Sequence, residues 1–129
     1  MKGTYVLIIS LPEAMEMTIG ALGKIRFKEG YYAYIGSALN SLEKRTARHL
    51  SSEKKLHWHV DYLLQKAEIL DVLKLEDERK LECFVAENLQ EFDSVRKFGS
   101  SDCSCKSHLF FSEDISTLKK SAEEALAKA

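Results

Sequence analysis

Hydrophobic and polar positions fall into a few distinct patterns along this chain, and each pattern predicts an element. Thr4-Tyr5-Val6-Leu7-Ile8-Ile9 is an unbroken apolar run rich in β-branched and aromatic side chains. It is too short for a typical helix and stops at Leu11-Pro12, so it predicts an interior strand. Met17 to Gly20 and Lys24 to Phe27 alternate apolar with polar residues between glycines, which predicts two short paired strands. Tyr31-Tyr32-Ala33-Tyr34-Ile35-Gly36 predicts a second firm strand, after which Ser37 or Asn40 can cap a helix.

That helix is expected from about Ser41 to His49, with Leu39, Leu42, Thr46 and Leu50 on one side at 100° per residue. Ser51-Ser52-Glu53 breaks it. A second helix is expected from about Leu56 to Lys66, turning Leu56, Val60, Leu63, Leu64 and Ala67 inward, and Ile69 to Leu75 predicts a third strand. A third helix, about Asp77 to Phe92, would pack Leu81, Phe84, Val85, Leu89 and Phe92. Gly99-Ser100-Ser101-Asp102 reads as a turn, His108 to Phe111 as a short strand and Ser112 to Ala129 as a terminal helix. No repeat or linker interrupts this order, so residues 1–129 are expected to form one α+β domain.

Composition narrows the function classes. Nineteen Lys and Arg against twenty Asp and Glu leave a net charge of −1, which excludes a general nucleic-acid coat, so any phosphate contact must be a local patch. No apolar run approaches the roughly 18 residues that a membrane helix needs, and no secretion-signal pattern is visible. A cytoplasmic, membrane-free protein is therefore expected. Of the three cysteines, Cys103 and Cys105 sit too close for an easy disulfide, so a reducing compartment is expected and disulfide scaffolding is not.

The segments Gly3-Thr4-Tyr5 and Tyr34-Ile35-Gly36, one on each of two early strands, resemble the two half-motifs of the GIY-YIG nuclease superfamily. A longer set of matches is similar to its Uri-type branch: Gly30 to Ala38, Arg48-His49-Leu50, His57-Trp58-His59-Val60-Asp61-Tyr62-Leu63, Glu82-Cys83, and Phe98 to Leu109. That branch is described as a domain of unknown function, sometimes fused to an endonuclease III-type glycosylase. The resemblance implies a small central antiparallel sheet flanked by helices, here with an extra C-terminal strand and helix. Thr4 stands where the motif name has Ile, and the superfamily's asparagine after the third helix has no clear match.

By that resemblance, the expected activity is that of a metal-dependent endonuclease hydrolysing phosphodiester bonds in nucleic acid, with DNA in a repair or structure-specific context as the expected substrate. Phosphodiester hydrolysis needs an attacking water, a base, charge stabilisation and help for the leaving oxygen. The resemblance gives Tyr5 the water's proton, Tyr34 the positioning of water or phosphate, Arg45 the developing charge, and Glu82 one Mg²⁺ or Mn²⁺. Helix geometry agrees with two of these assignments: Arg45 borders the apolar stripe whereas Arg48 points well away, and Glu82 lies nearer the buried face than Glu87. His49 is either a satisfied core histidine or a proton carrier. Ser37, Lys44 and Arg48 are candidate nucleic-acid contacts, within a wider basic patch that includes Lys24, Arg26 and Lys28. A tyrosine titrating near 10 would give an alkaline rate optimum, and the two tyrosine hydroxyls should converge on one open concave face.

His57, Asp102 and His108 are further candidates for supporting the site. Cys103-x-Cys105-x-x-His108, beside His57-Trp58-His59, also invites a zinc reading. Its spacing is tighter than usual and His57 and His59 would face opposite sides of a helix, so a structural zinc is not favoured. The Phe98 to Leu109 segment is instead expected to fold back on the second helix through hydrogen bonds. The competing reading is a non-catalytic docking module for nucleic acid or for a DNA-repair enzyme.

Overall fold

The computed structural model describes residues 1–38, 41–51, 56, 58–100 and 105–129. In chain order these form β1 (Gly3–Leu11), β2 (Met15–Thr18), β3 (Lys24–Phe27), β4 (Gly30–Ala38), α1 (Leu42–Leu50) and α2 (His59–Leu63). There follow β5 (Glu68–Glu76), α3 (Glu82–Glu87), β6 (Asp93–Ser94), β7 (Leu109–Ser112) and α4 (Ile115–Lys128). The class is α+β. A five-stranded antiparallel sheet runs β5-β1-β4-β7-β6, and β2 and β3 form a separate ribbon.

β1 lies inside the sheet and is covered on both faces, which is why its sequence is apolar without alternation. Tyr5, Leu7, Ile9 and Leu11 enter one core with Phe27, Val60, Leu63 and Phe98. Val6 and Ile8 enter the other with Ile35, with Val85 and Leu89 from the α3 region, and with Leu118 and Ala122 of α4. Each fully buried aliphatic side chain here contributes about 1.5–3 kcal/mol relative to exposure. In the ribbon, Met15, Met17 and Ile25 pack inward while Lys24 and Arg26 face solvent; its first strand is Met15–Thr18 rather than the expected Met17 to Gly20, because Gly20 opens a tight helical turn. Among the described residues, no helix is long and apolar enough to cross a membrane.

Several elements differ from expectation. α1 buries Leu42, Thr46 and His49, whereas Leu50 is 61% exposed. Its apolar stripe is thus rotated toward His49. α2 begins only at His59, because the Asp61 carboxylate accepts the Trp58 N–H at 2.8 Å and fixes the first turn there. α3 is six residues long, not sixteen: β5 extends to Glu76 through its pairing with Gly3, and Asp77 folds back to accept the Arg79 N–H at 2.9 Å. Phe84 consequently stays 37% exposed, while Leu81, Val85 and Leu89 are buried as expected.

Candidate functional site

β1 and β4 pair with Tyr5 opposite Gly36 and Leu7 opposite Tyr34. Tyr5 and Tyr34 are therefore diagonal neighbours on one face of the sheet, with ring centroids 6.5 Å apart. Gly36 makes this possible: a Cβ there would fall on the Tyr5 ring. Gly36→Ala is expected to drive Tyr5 from its place and to destabilise the fold by roughly 1–3 kcal/mol. Chemical denaturation checks this; an unchanged midpoint would show that the ring has room to move.

α1 crosses the same end of the sheet and brings His49 against both rings. His49 Nε2 lies 2.6 Å from the Tyr5 hydroxyl, and its ring stands 5.3 Å from Tyr5 and 6.2 Å from Tyr34. Arg45, one turn earlier, donates from Nη1 to the Ser37 carbonyl at 3.0 Å, and its positive charge acts on the Tyr5 hydroxyl. Glu82 opens α3, and its charge acts on Tyr34 and on His108. Tyr5, Tyr34, Arg45 and His49 thus gather at one end of the sheet, whereas α3, which carries Glu82, packs Val85 and Ala86 into the core on the other face.

The tyrosines do not line an open face. Tyr5 is 1% and Tyr34 5% exposed, because α1 and the Trp58 and Phe98 side chains pack over that end of the sheet. Burial dominates their titration, pushing Tyr5 up to about 12 despite the opposing Arg45 guanidinium. Tyr34 is pushed higher still by burial and by the neighbouring Tyr5, Asp61 and Glu82. A free phenolate is correspondingly costly. A cavity of about 550 Å³ lies beside the cluster and is lined by His49, Asp61 and Ile69 among others.

A family model for a domain of unknown function, DUF123, matches residues 4–129. The chain belongs to the DUF123 family. No curated protein and no solved structure matches it.

Around the tyrosines, this DUF123 chain departs from the sequence reading in two places. Arg48 does not point away from the interior. It forms two hydrogen bonds of 3.1 Å with the carboxylate of Asp61, a fully buried residue, and lies over the Trp58 ring at 4.2 Å. The periodicity of α1 alone does not contain this contact, because α2 supplies the partner. Arg45 also stacks on Trp58, at 4.3 Å, so one indole bridges two guanidinium groups. The uniqueness of Trp58 between two histidines was the sole signal for this role. Of the other nucleic-acid candidates, Lys44 is exposed and Ser37 half-buried.

The Phe98 to Leu109 segment meets α2 where it is described: the Gly99 N–H donates to His59 Nδ1 at 2.9 Å, and the Phe98 ring stands 5.6 Å from His59 and 6.2 Å from Tyr34. His57, Asp102 and Cys103 lie outside the described residues. His108 is buried, which lowers its titration, against the Glu82 charge and a hydrogen bond to the Gly99 backbone. Contrary to expectation, Cys105 is joined to Cys83 by a disulfide. The two lie 22 residues apart in sequence, so weighing the Cys103/Cys105 spacing could not reveal the pair.

Proposed function

We propose that this protein is a divalent-metal-dependent endonuclease of the GIY-YIG type, Uri-type branch, acting on DNA in a repair or structure-specific context. The observation that carries this reading is the 2.6 Å contact of the Tyr5 hydroxyl with His49 Nε2, under the influence of the Arg45 charge and next to the Tyr34 ring. Glu82 fits the implied Mg²⁺ or Mn²⁺, since its Oε2 is buried and, among the described residues, has no hydrogen-bond partner. A bound divalent ion there supplies charge stabilisation to the phosphate oxygens.

The chain's own residues divide the remaining work. Tyr5 takes the proton of the attacking water as its own hydroxyl proton passes to His49 Nε2, so no free phenolate accumulates. His49 holds that proton until it returns to Tyr5 or leaves through the other ring nitrogen as the site opens on the substrate. Tyr34 positions the water or phosphate, and Arg45, swung from the Ser37 carbonyl, meets the developing negative charge. Trp58 is the cover over Arg45, and DNA binding displaces it. Lys44 and the exposed Lys24 and Arg26 supply phosphate contacts; with a net charge of −1, a DNA-repair glycosylase or similar partner delivers the substrate.

Arg45→Ala is expected to lower the single-turnover cleavage rate by a hundredfold or more, on the order of 3 kcal/mol, with the fold intact. Branched, gapped and flapped DNA with Mn²⁺ are the substrates to use. Equal rates for Arg45→Ala and the parent would remove its role. In His49→Ala, where Tyr5 alone must ionise, the rate should fall and then climb steadily with pH, because burial pushes Tyr5 up to about 12.

The burial of both tyrosine hydroxyls favours a second reading, a non-catalytic docking module for nucleic acid or a repair enzyme. Specific Mg²⁺ or Mn²⁺ binding that vanishes in Glu82→Gln supports the enzyme; absence of such binding supports the module.

A further inference from the structure

Cys83, Cys105 and His108 come from three separate places in the chain: the second residue of α3, the segment that follows residues 101–104, and the residue before β7. Their Sγ, Sγ and Nε2 atoms all lie within 4.8 Å of one another, and Cys83 Sγ is 3.9 Å from His108 Nε2. Ligands around a tetrahedral zinc, at about 2.3 Å for sulfur and about 2.0–2.1 Å for nitrogen, stand roughly 3.5–3.8 Å apart. The sulfur-to-imidazole spacing already has that scale.

We propose that, with its thiols reduced, the protein binds one thiophilic divalent ion, Zn²⁺, through Cys83, Cys105 and His108. Two thiolates and an imidazole are the soft and borderline donors that select zinc over Mg²⁺ or Ca²⁺. The backbone carries the two cysteines at a Cα separation of 6.0 Å, near enough for both sulfurs to face one ion after small side-chain rotations. His108 is buried, and its Nε2 is the ring nitrogen that faces Cys83 Sγ, as a ligand to a shared ion must. Cys83 is the donor that the sequence cluster lacked. Of the sequence cluster Cys103-x-Cys105-x-x-His108, the fold brings Cys105 and His108 together and adds Cys83.

The site differs from the one at Glu82 in donors and in purpose. Cys83 follows Glu82 directly in the chain, so an ion held by Cys83 ties the start of α3, and with it the Glu82 backbone, to the strand end at His108. Its role is to position Glu82, and it stands whether or not the protein cleaves DNA. The disulfide uses the same two sulfurs and excludes the ion: forming it from the dithiol removes two electrons and two protons, which a peroxide or a disulfide oxidant would accept.

The test uses the full chain purified under thiol reductant without chelator. Elemental analysis should find about one zinc per chain, and Cd²⁺ titration should give thiolate charge-transfer absorbance saturating at one equivalent. Cys83→Ser and Cys105→Ser should abolish that absorbance, and His108→Ala should weaken binding by more than the roughly 10–100-fold lost with an outer-shell partner. Circular dichroism shows whether each variant is folded; Glu82→Gln should retain the zinc. Chelation should lower the Tm of the parent and leave that of Cys83→Ser unchanged. Free thiols without bound metal, a Cys83–Cys105 bond that survives the reductant, or zinc bound equally well by folded Cys83→Ser would each overturn the proposal.

Discussion

Replacing Asp61 with Ala should cost on the order of 3–5 kcal/mol of folding stability, the range for breaking a buried ion pair by removing one partner. Asp61 is fully buried and accepts three described hydrogen bonds: two from Arg48 at 3.1 Å and the Trp58 N–H at 2.8 Å. Its loss leaves the Arg48 charge without that carboxylate and the first turn of α2 without its cap. Arg48 retains 28% side-chain exposure and can recover some hydration, which places the effect toward the lower end. Asp61→Asn, the same shape without the charge, should lose less. Urea unfolding measures the difference, and a loss below about 1 kcal/mol would show that the pair does not hold α1 to α2. Trp58 is the single tryptophan, so its fluorescence reports directly on the stack over Arg45 and Arg48. A red-shifted native spectrum in Asp61→Ala is the accompanying expectation.

What the sequence made legible follows from how local each signal is. β1 and β4 were readable because an unbroken apolar run and a tyrosine-rich run ending in glycine both have strand length and strand composition. Gly36 was readable as a strand end, but its reason is tertiary: Tyr5 occupies the space its side chain would need. Periodicity placed Leu42 and Thr46 correctly and misjudged Leu50, since the stripe centre depends on what the helix packs against. It also left Arg48 in solvent, because a helix wheel does not contain Trp58 or Asp61. α3 came out too long for a related cause. Residues 77–81 suit a helix by composition, yet β5 continues to Glu76 and the chain then turns at Asp77. The Cys83 partnership was invisible for the simplest reason, a contact between residues 22 apart that only the fold brings together.

Raising the pH from 10 to 12 should destabilise the protein by on the order of 2 kcal/mol through Tyr5 alone, with a further loss from Tyr32. Burial pushes Tyr5 from its ordinary 10 up to about 12, against the pull of Arg45, and pushes Tyr32 to about 12 against its hydrogen bond to the Lys28 carbonyl. Below pH 10 both side chains are neutral in the folded and the unfolded chain, so their contribution is fully present. Between 10 and 12 the unfolded chain releases protons that the folded chain keeps. Unfolding therefore becomes easier by about 1.4 kcal/mol per pH unit for each fully protected tyrosine. The Tyr32 hydroxyl ends at the exposed Lys28 turn, so its loss should be smaller than that of Tyr5. Tyr34 stays neutral to higher pH still and adds in the same direction. A domain with 5–15 kcal/mol in hand would thus lose much of its stability by pH 12. Urea titrations at pH 9, 10 and 11 should show the midpoint falling ever more steeply, and Tyr32→Phe should flatten the fall slightly. Tyrosinate absorbance of the folded protein supplies the independent check: if Tyr5 ionised at its ordinary value, the hydroxyl would be hydrated and the proton path through His49 unnecessary.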